Sequence, residues 1–204
     1  MNRGRLLALE GLDGCGKSTQ AERIAQALRA RGHDVVQTRE PSDGRIGREI
    51  RVLARKGERV TAERELELFT EDRREHVAQL IAPALAEGRW VVTDRYFLST
   101  VAYQGARGLD WRAILARSEA EFPAPDAALV FELPADVGLA RTRARGDAPD
   151  LWFEHRDYLE RVAAIFAAID RAYVARVDAS GTAEAVTARA LDAIETLLGA
   201  KEES

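Results

Sequence analysis

With 204 residues, 46% hydrophobic and 31% charged, the chain has the size and composition of one globular domain with a full core, not of a disordered segment. Its 30 Lys and Arg against 34 Asp and Glu leave a net charge of −4, so it lacks the cation excess with which a general nucleic-acid binder displaces counterions. No apolar run approaches the roughly 20 residues that span a bilayer, the opening Met1-Asn2-Arg3-Gly4-Arg5 is expected to leave no room for a signal peptide, and a single cysteine, Cys15, excludes an internal disulfide and fits a reducing cytoplasm.

Residues 5–10 form a short, mostly apolar run that predicts a buried parallel strand. The run enters Gly11-Leu12-Asp13-Gly14-Cys15-Gly16-Lys17-Ser18-Thr19, which fits the pattern G-x-x-x-x-G-K-[ST]. Glycines allow consecutive N–H groups to point inward around phosphate oxygens at a helix N-terminus. A lysine then places a mobile ammonium on the outer phosphates, and the serine hydroxyl meets the magnesium ion that accompanies them. Residues 17–31 carry Ile24, Ala25 and Leu28 at helical spacing and stop at Gly32. A chance GKS in a glycine-rich turn is the alternative, and the strand and helix on either side weigh against it.

A second strand is predicted over 34–38, followed by Arg39-Glu40-Pro41, a loop at Ser42-Asp43-Gly44, and a helix over about 46–55 ending at Lys56-Gly57-Glu58. A long helical pattern covers 62–85, with Thr61 as cap and Pro83 expected to kink or shorten its last turns. Strand three is 90–93. Helices follow near 98–104 and over 110–121, then strand four at 127–133 and a helix over 135–145. Residues 146–149 interrupt the pattern. A helix from about 154 to 172, strand five at 174–177, a terminal helix over 182–198 and a fraying tail from Lys201 complete the chain. Strands alternating with helices predict an α/β fold: a five-stranded parallel sheet covered on both faces, with ligands at the strand C-terminal ends.

Those ends gather polar residues: Asp13 after strand one, Arg39 and Glu40 after strand two, Asp94 and Arg95 after strand three. Buried charges at such points are costly and often functional, although Asp94–Arg95 also suits an ordinary ion pair. On the long helix Leu66, Phe69, Val77, Leu80, Ile81 and Ala84 form an apolar stripe that includes Arg73. An inward arginine beside an aromatic face suits a planar ring bearing acceptors. Equally, Phe69 can be core and Arg73 can pair with Glu65 or Asp72. Arg141, Arg143 and Arg145 before Gly146 suggest a mobile lid that places cations over a transferring phosphoryl group, with a solvated basic face as the alternative. There is no N-K-x-D and no L-S-G-G-Q, which argues against a small GTPase and a transporter ATPase.

Taken together, the phosphate loop in Leu9-Glu10-Gly11-Leu12-Asp13-Gly14, the segment Thr38-Arg39-Glu40-Pro41, Phe69 with Arg73, Asp94-Arg95-Tyr96, Ser99-Thr100-Val101-Ala102-Tyr103-Gln104-Gly105 and Tyr158-Leu159-Glu160-Arg161-Val162 resemble the thymidylate kinases over nearly the whole chain. The resemblance implies one P-loop NTPase domain over 1–204 with a lid at about 143–156, and ATP-dependent phosphorylation of dTMP to dTDP. It implies ATP on Gly11, Asp13, Gly14, Cys15, Gly16, Lys17, Ser18 and Thr19, and Mg2+ on Ser18 and Asp94. Arg39 and Arg95 would hold the acceptor phosphate, Asp13, counted with the catalytic residues, would lie by the acceptor's sugar and phosphate near magnesium, Phe69 would stack on thymine and Arg73 would reach its O4. Ser99, Thr100 and Gln104 would contact the acceptor, and Tyr103 would press on its sugar against a 2′-hydroxyl. Catalytic cations would be Lys17, Arg95 and a lid arginine, Arg143 or Arg145, with Arg156 next in line. The family also implies a cytoplasmic homodimer, no nucleic acid or membrane partner, and often a cis bond before the proline of Arg39-Glu40-Pro41. Three departures stand out: Ser42-Asp43 replaces two glycines, Leu151-Trp152-Phe153-Glu154 lacks the arginine of the family's R-x-E lid pattern, and no basic residue stands at Gly14 or Cys15. Rival readings are a kinase for another nucleotide or deoxynucleoside, and a regulatory subunit that binds ATP without catalysis.

Overall fold

A computed structural model describes residues 4–56, 60–144 and 156–202. Five parallel strands, β1 (Leu6–Gly11), β2 (Val35–Arg39), β3 (Trp90–Asp94), β4 (Ala127–Glu132) and β5 (Val174–Asp178), lie in the order β2-β3-β1-β4-β5. β1 is central, and its alternation divides the core. Leu6 and Ala8 face α5 (Phe97–Ala106), α6 (Trp111–Glu121) and α8 (Arg156–Ala168), while Leu7 and Leu9 face α1 (Lys17–Ala30) and α9 (Ala183–Glu202). Because the chain leaves β1 toward β2 on one side and β4 on the other, the C-terminal end of β1 lies where a ligand crevice is expected in such sheets.

Of the remaining helices, α2 (Arg45–Lys56), α3 (Ala62–His76) and α7 (Ala135–Ala144) frame that end, while α4 (Ala82–Ala86) leads into β3 at the opposite end of the sheet, where Gly4 N–H donates to Leu85 O. Thr61 caps α3 by accepting from Arg64 N–H, and Asp110 caps α6 by accepting from Arg112 and Ala113 N–H. Pro83 does not end the long helix. It has no N–H to offer, and the helix widens into a π-turn over Val77–Ile81, where Ala82 N–H reaches Val77 O, before continuing as α4. Along α3 the buried apolar anchor is Leu68, packed on Ile46 and Ile50 of α2, while Leu66 and Phe69 are only half-buried.

Two helix ends differ from expectation. α8 stops at Ala168 rather than 172, because the Arg176 guanidinium takes the carbonyls of Phe166, Ala167 and Ile169 and closes the helix terminus. α9 runs on to Glu202, since Ala200, Lys201 and Glu202 are good helix formers that outweigh Gly199. The expected helix stop at Gly57-Glu58, the interruption at 146–149, the start of α8 at 154, and Leu151-Trp152-Phe153-Glu154 lie outside the described residues.

Candidate active site

The turn after β1 leads directly into α1, with Gly16 at the N-cap in the left-handed region. Gly14 has φ 79°, and a Cβ there would fall 2.2 Å from the carbonyl oxygen of Gly138. Gly138 in turn has room for no Cβ beyond 2.6 Å of Asp13 O. The two glycines therefore let α7 rest its backbone on the loop. Lys17 is 5% exposed and folds back, its Nζ donating to Leu12 O at 2.7 Å, and the buried Cys15 Sγ lies 3.7 Å from the same nitrogen. Ser18 and Thr19 are exposed at the start of α1.

Ser18 Oγ donates to Asp94 Oδ2 at 2.5 Å, and Asp94 Oδ1 is buried without a hydrogen-bond partner among the described residues. A hydroxyl and a carboxylate with a spare oxygen make a hard-oxygen set that suits Mg2+. Asp94 and Arg95 do not pair with each other. Arg95 turns away through φ 74°, a left-handed conformation that costs a side-chain-bearing residue about 1–3 kcal/mol and clusters at functional sites. The turn directs Nη2 to Asp13 Oδ1 at 2.6 Å and Nη1 to Ser99 Oγ at 2.9 Å. Tyr103 OH donates to Asp13 Oδ2 at 3.1 Å, and its ring centre is 5.0 Å from the Arg95 guanidinium carbon. Burial alone would push the Asp13 carboxyl up, but Arg95 and Lys17 outweigh it and hold it at about 2.

Glu10 organises this turn. It is fully buried, on the same face of β1 as Leu6 and Ala8. Its Oε1 accepts Tyr96 and Leu98 N–H at 3.0 and 3.1 Å, and its Oε2 accepts Ser99 Oγ–H at 2.5 Å. Burial pushes its carboxyl up to about 7, against the pull of Ser99, Arg95 and Arg73.

A cavity of 270 Å³ opens beside these groups, lined by Asp13, Arg95 and Tyr103 together with Phe69, Arg73 and Gln104, among others. Arg73 is 1% exposed, and its partner is neither Glu65 nor Asp72 but Glu40, at 2.6 Å from Nη2 and 2.9 Å from Nε. Nη2 also donates to Thr100 Oγ1 at 2.9 Å. Glu40 is held on its other oxygen by His76 Nδ1 at 3.1 Å, and His76 Nε2 meets Thr38 Oγ1 at 2.7 Å. The Glu40–Pro41 peptide is cis, as the resemblance implies. Asp72 instead holds Ser42 through its N–H and hydroxyl, at 2.7 and 2.6 Å, which gives the first of the two departing residues a structural place. Glu65 holds Gln104 and Arg107. Two buried polar atoms on this cavity's residues have no hydrogen-bond partner among the described residues: Arg73 Nη1, a donor, and Gln104 Oε1, an acceptor.

Arg39 stands apart from this group. It is exposed, pairs with the equally exposed Asp43 at 3.0 Å, and lines a neighbouring 570 Å³ cleft with Ser18, Asp94 and His76. Arg51 was missed by the sequence reading. It lines the 270 Å³ cavity and donates to Pro41 O and to Asp43 at 2.7 and 3.1 Å. Its place next to Ile50, at the edge of the buried stripe of α2, was the available signal. Glu10 and His76 were also passed over as site residues, while Glu40 was named only as a strand-end acid and Glu65 only as a candidate partner of Arg73. An acid inside the apolar run of β1 was the clue to the first. Among the lid candidates Arg141 is half-buried on α7, and Arg156 is exposed and pairs with Glu160 at 2.8 Å. Arg143 belongs to α7, but its side chain is outside the described residues, as is Arg145.

Comparison with known proteins identifies the family. The family model described as "Thymidylate kinase" matches residues 9–190. The chain is 51% identical to the thymidylate kinase of Xanthomonas euvesicatoria pv. vesicatoria over 187 residues, covering 92% of this chain and 81% of that one. It is 44% identical to the thymidylate kinase of Akkermansia muciniphila over 192 residues, 94% of this chain and 92% of that one. With a family match over most of its length and relatives this close, the chain belongs to the thymidylate kinase family.

Proposed function

We propose that dTMP occupies the cavity between Phe69, Arg73 and Arg95 while ATP sits on the loop from Gly11 to Thr19. The activity is ATP-dependent phosphorylation of dTMP to dTDP. One observation supports the placement of the base above the rest: the unpartnered donor Arg73 Nη1 and the unpartnered acceptor Gln104 Oε1 belong to the same cavity. A thymine edge offers O4, an acceptor, next to N3–H, a donor, and so completes both. Cytosine offers the reverse pattern and leaves both buried atoms unmatched.

In this reading Phe69 stacks on the ring and Thr100 supports Arg73. Tyr103 presses on the sugar, and Asp13, Ser99, Arg95 and Arg39 receive the sugar and acceptor phosphate. A phosphate oxygen of dTMP attacks the γ-phosphorus of ATP in line; a new P–O bond forms as the bond to the β-phosphate oxygen breaks and ADP leaves. The attacking oxygen is already anionic, so positioning and charge neutralisation carry the catalysis. Lys17 neutralises the outer phosphates, assisted by Arg143 or Arg145 from a lid at about 143–156, with Arg156 next in line. Ser18 and Asp94 would hold Mg2+, which supplies further charge neutralisation on the phosphates. The reading further takes the chain as one domain over 1–204, a homodimer as the family resemblance suggests, and cytoplasmic, in keeping with its single cysteine.

A coupled assay with ATP and a panel of monophosphates tests this. The expected order is dTMP, then dUMP, weaker by about the 1 kcal/mol of a buried methyl group, with UMP and dCMP far behind, dCMP by roughly 10⁴. Preference for dCMP or AMP would overturn the base placement. ATP binding without turnover of any monophosphate would favour a regulatory role.

A further inference from the structure

A primary amide carries its donor and acceptor on opposite corners, and a half-turn exchanges them. For Gln104, 1% exposed beside the cavity, the two orientations would present opposite chemistry to a ligand. The neighbour that decides between them is Glu65. Its Oε2 accepts Gln104 Nε2 at 2.8 Å and Arg107 Nη1 at 2.5 Å. Arg107 is tied down in turn, its Nη2 donating to Val60 O at 2.8 Å. A carboxylate paired with a guanidinium only accepts. The turned amide would set Gln104 Oε1 against Glu65 Oε2, two acceptors with no proton between them, at a part-buried contact.

We propose that Glu65, anchored by Arg107, is a specificity-determining positioning residue: it fixes the Gln104 amide with its oxygen toward the ligand, so that the site accepts a pyrimidine with a ring N–H and turns away one whose ring nitrogen is an acceptor. This rests on the reading that the cavity holds the base. Neither Glu65 nor Arg107 needs to touch the substrate; the pair acts through Gln104. Arg73 reads the adjacent group independently, because its orientation comes from Glu40 and Thr100.

The test compares kcat/KM for dTMP and dCMP in the wild-type enzyme, in Glu65→Gln and in Glu65→Asp, with thermal melts to confirm folding. A glutamine at 65 can accept from or donate to Gln104, so both amide orientations become available. The expected result is a fall in the dTMP/dCMP ratio of roughly tenfold or more in Glu65→Gln. Glu65→Asp, still an acceptor-only carboxylate, keeps the ratio even if both rates drop. A purely structural role lowers both rates of Glu65→Gln together, and an unchanged ratio in the folded variant overturns the proposal. If Glu65→Gln does not fold, Arg107→Met serves instead: it releases the carboxylate from its anchor and should lower the same ratio, and an unchanged ratio again overturns the proposal. A wild-type enzyme without preference for dTMP overturns the base placement itself, a result distinct from a wild type that discriminates and a variant that still does.

Discussion

Two arginines expected on the same substrate are built in opposite ways. Arg73 is 1% exposed, clamped by a Glu40 that is itself held by His76, and backed by Thr100. The side chain of Arg39 is 61% exposed, and its partner Asp43 is 75% exposed. A buried cation must be paired and hydrogen-bonded before any ligand arrives, so the Arg73 cluster has one geometry in the empty protein. An exposed pair is worth little and is easily exchanged for another anion. The base end of the proposed site is thus set to discriminate, and the Arg39 end is set to capture.

Arg73→Ala breaks the contrast at its stronger side. It leaves Glu40 buried without its guanidinium partner, and removing one member of a buried pair costs about 3–5 kcal/mol. Chemical denaturation of Arg73→Ala and Arg39→Ala side by side should give that loss for the first and a change within about 0.5 kcal/mol for the second. Equal losses would mean that the two ends are not differently built.

The same contrast explains what could be read in advance. The strands and the loop from Gly11 to Thr19 follow from local pattern, apolar runs and glycine spacing, and all lie within a residue or so of their expected ends. Arg73 was legible as an anomaly on an apolar stripe, but its partner was not. Glu40 lies 33 residues away and reaches Arg73 only because β2 and α3 meet in space. Local acids such as Glu65 and Asp72 were the natural guess, and each turned out to serve another distant group. Helix ends failed for a similar reason. The early stop of α8 depends on Arg176, a residue of β5, which no reading of residues 154–172 contains. Periodicity reports elements; the pairing of buried charges is a tertiary fact.

Glu10 sharpens the comparison by adding pH. It is a buried acid without a salt-bridge partner among the described residues, held at about 7 by burial and facing Arg95, Arg73 and Glu40 through space. A folded-state value above the ordinary 4.5 means that the native protein binds the extra proton between those limits. Its contribution to stability is therefore full below pH about 4.5 and is lost as pH rises through about 7, on the order of 3 kcal/mol in total. Asp13, held at about 2, acts in the opposite sense but only in strong acid, losing its contribution as pH falls through that value, so the two windows do not overlap. Glu10→Gln keeps an oxygen for the Tyr96 and Leu98 N–H groups and has no charge to bury. Urea midpoints measured from pH 4.5 to 8 should fall more steeply for the wild type than for the variant. Parallel curves would show that the buried carboxyl does not titrate in this range.

The smallest expected effect lies at the exposed end. Arg39 and Arg51 both donate to Asp43 Oδ1. The hydrogen bond from Arg39, followed by its charge and those of Arg51 and Arg48, holds the Asp43 carboxyl below the usual carboxylate range. On the proposed placement of the acceptor phosphate at Arg39, the phosphate must draw Arg39 away from this carboxylate, so Asp43 competes with the acceptor for the same cation. Asp43→Asn keeps the size and a hydrogen-bonding oxygen but removes the competing charge. Exposed pairs of this kind contribute about 0.2–1 kcal/mol, so the KM for dTMP should fall by no more than about fivefold, with kcat unchanged and stability nearly so. The gain should shrink at high salt, because screening already weakens the pair in the wild type. A KM that rises instead would mean that Asp43 holds Arg39 in place for the phosphate rather than away from it, and Arg39 would then share the preorganised character of Arg73.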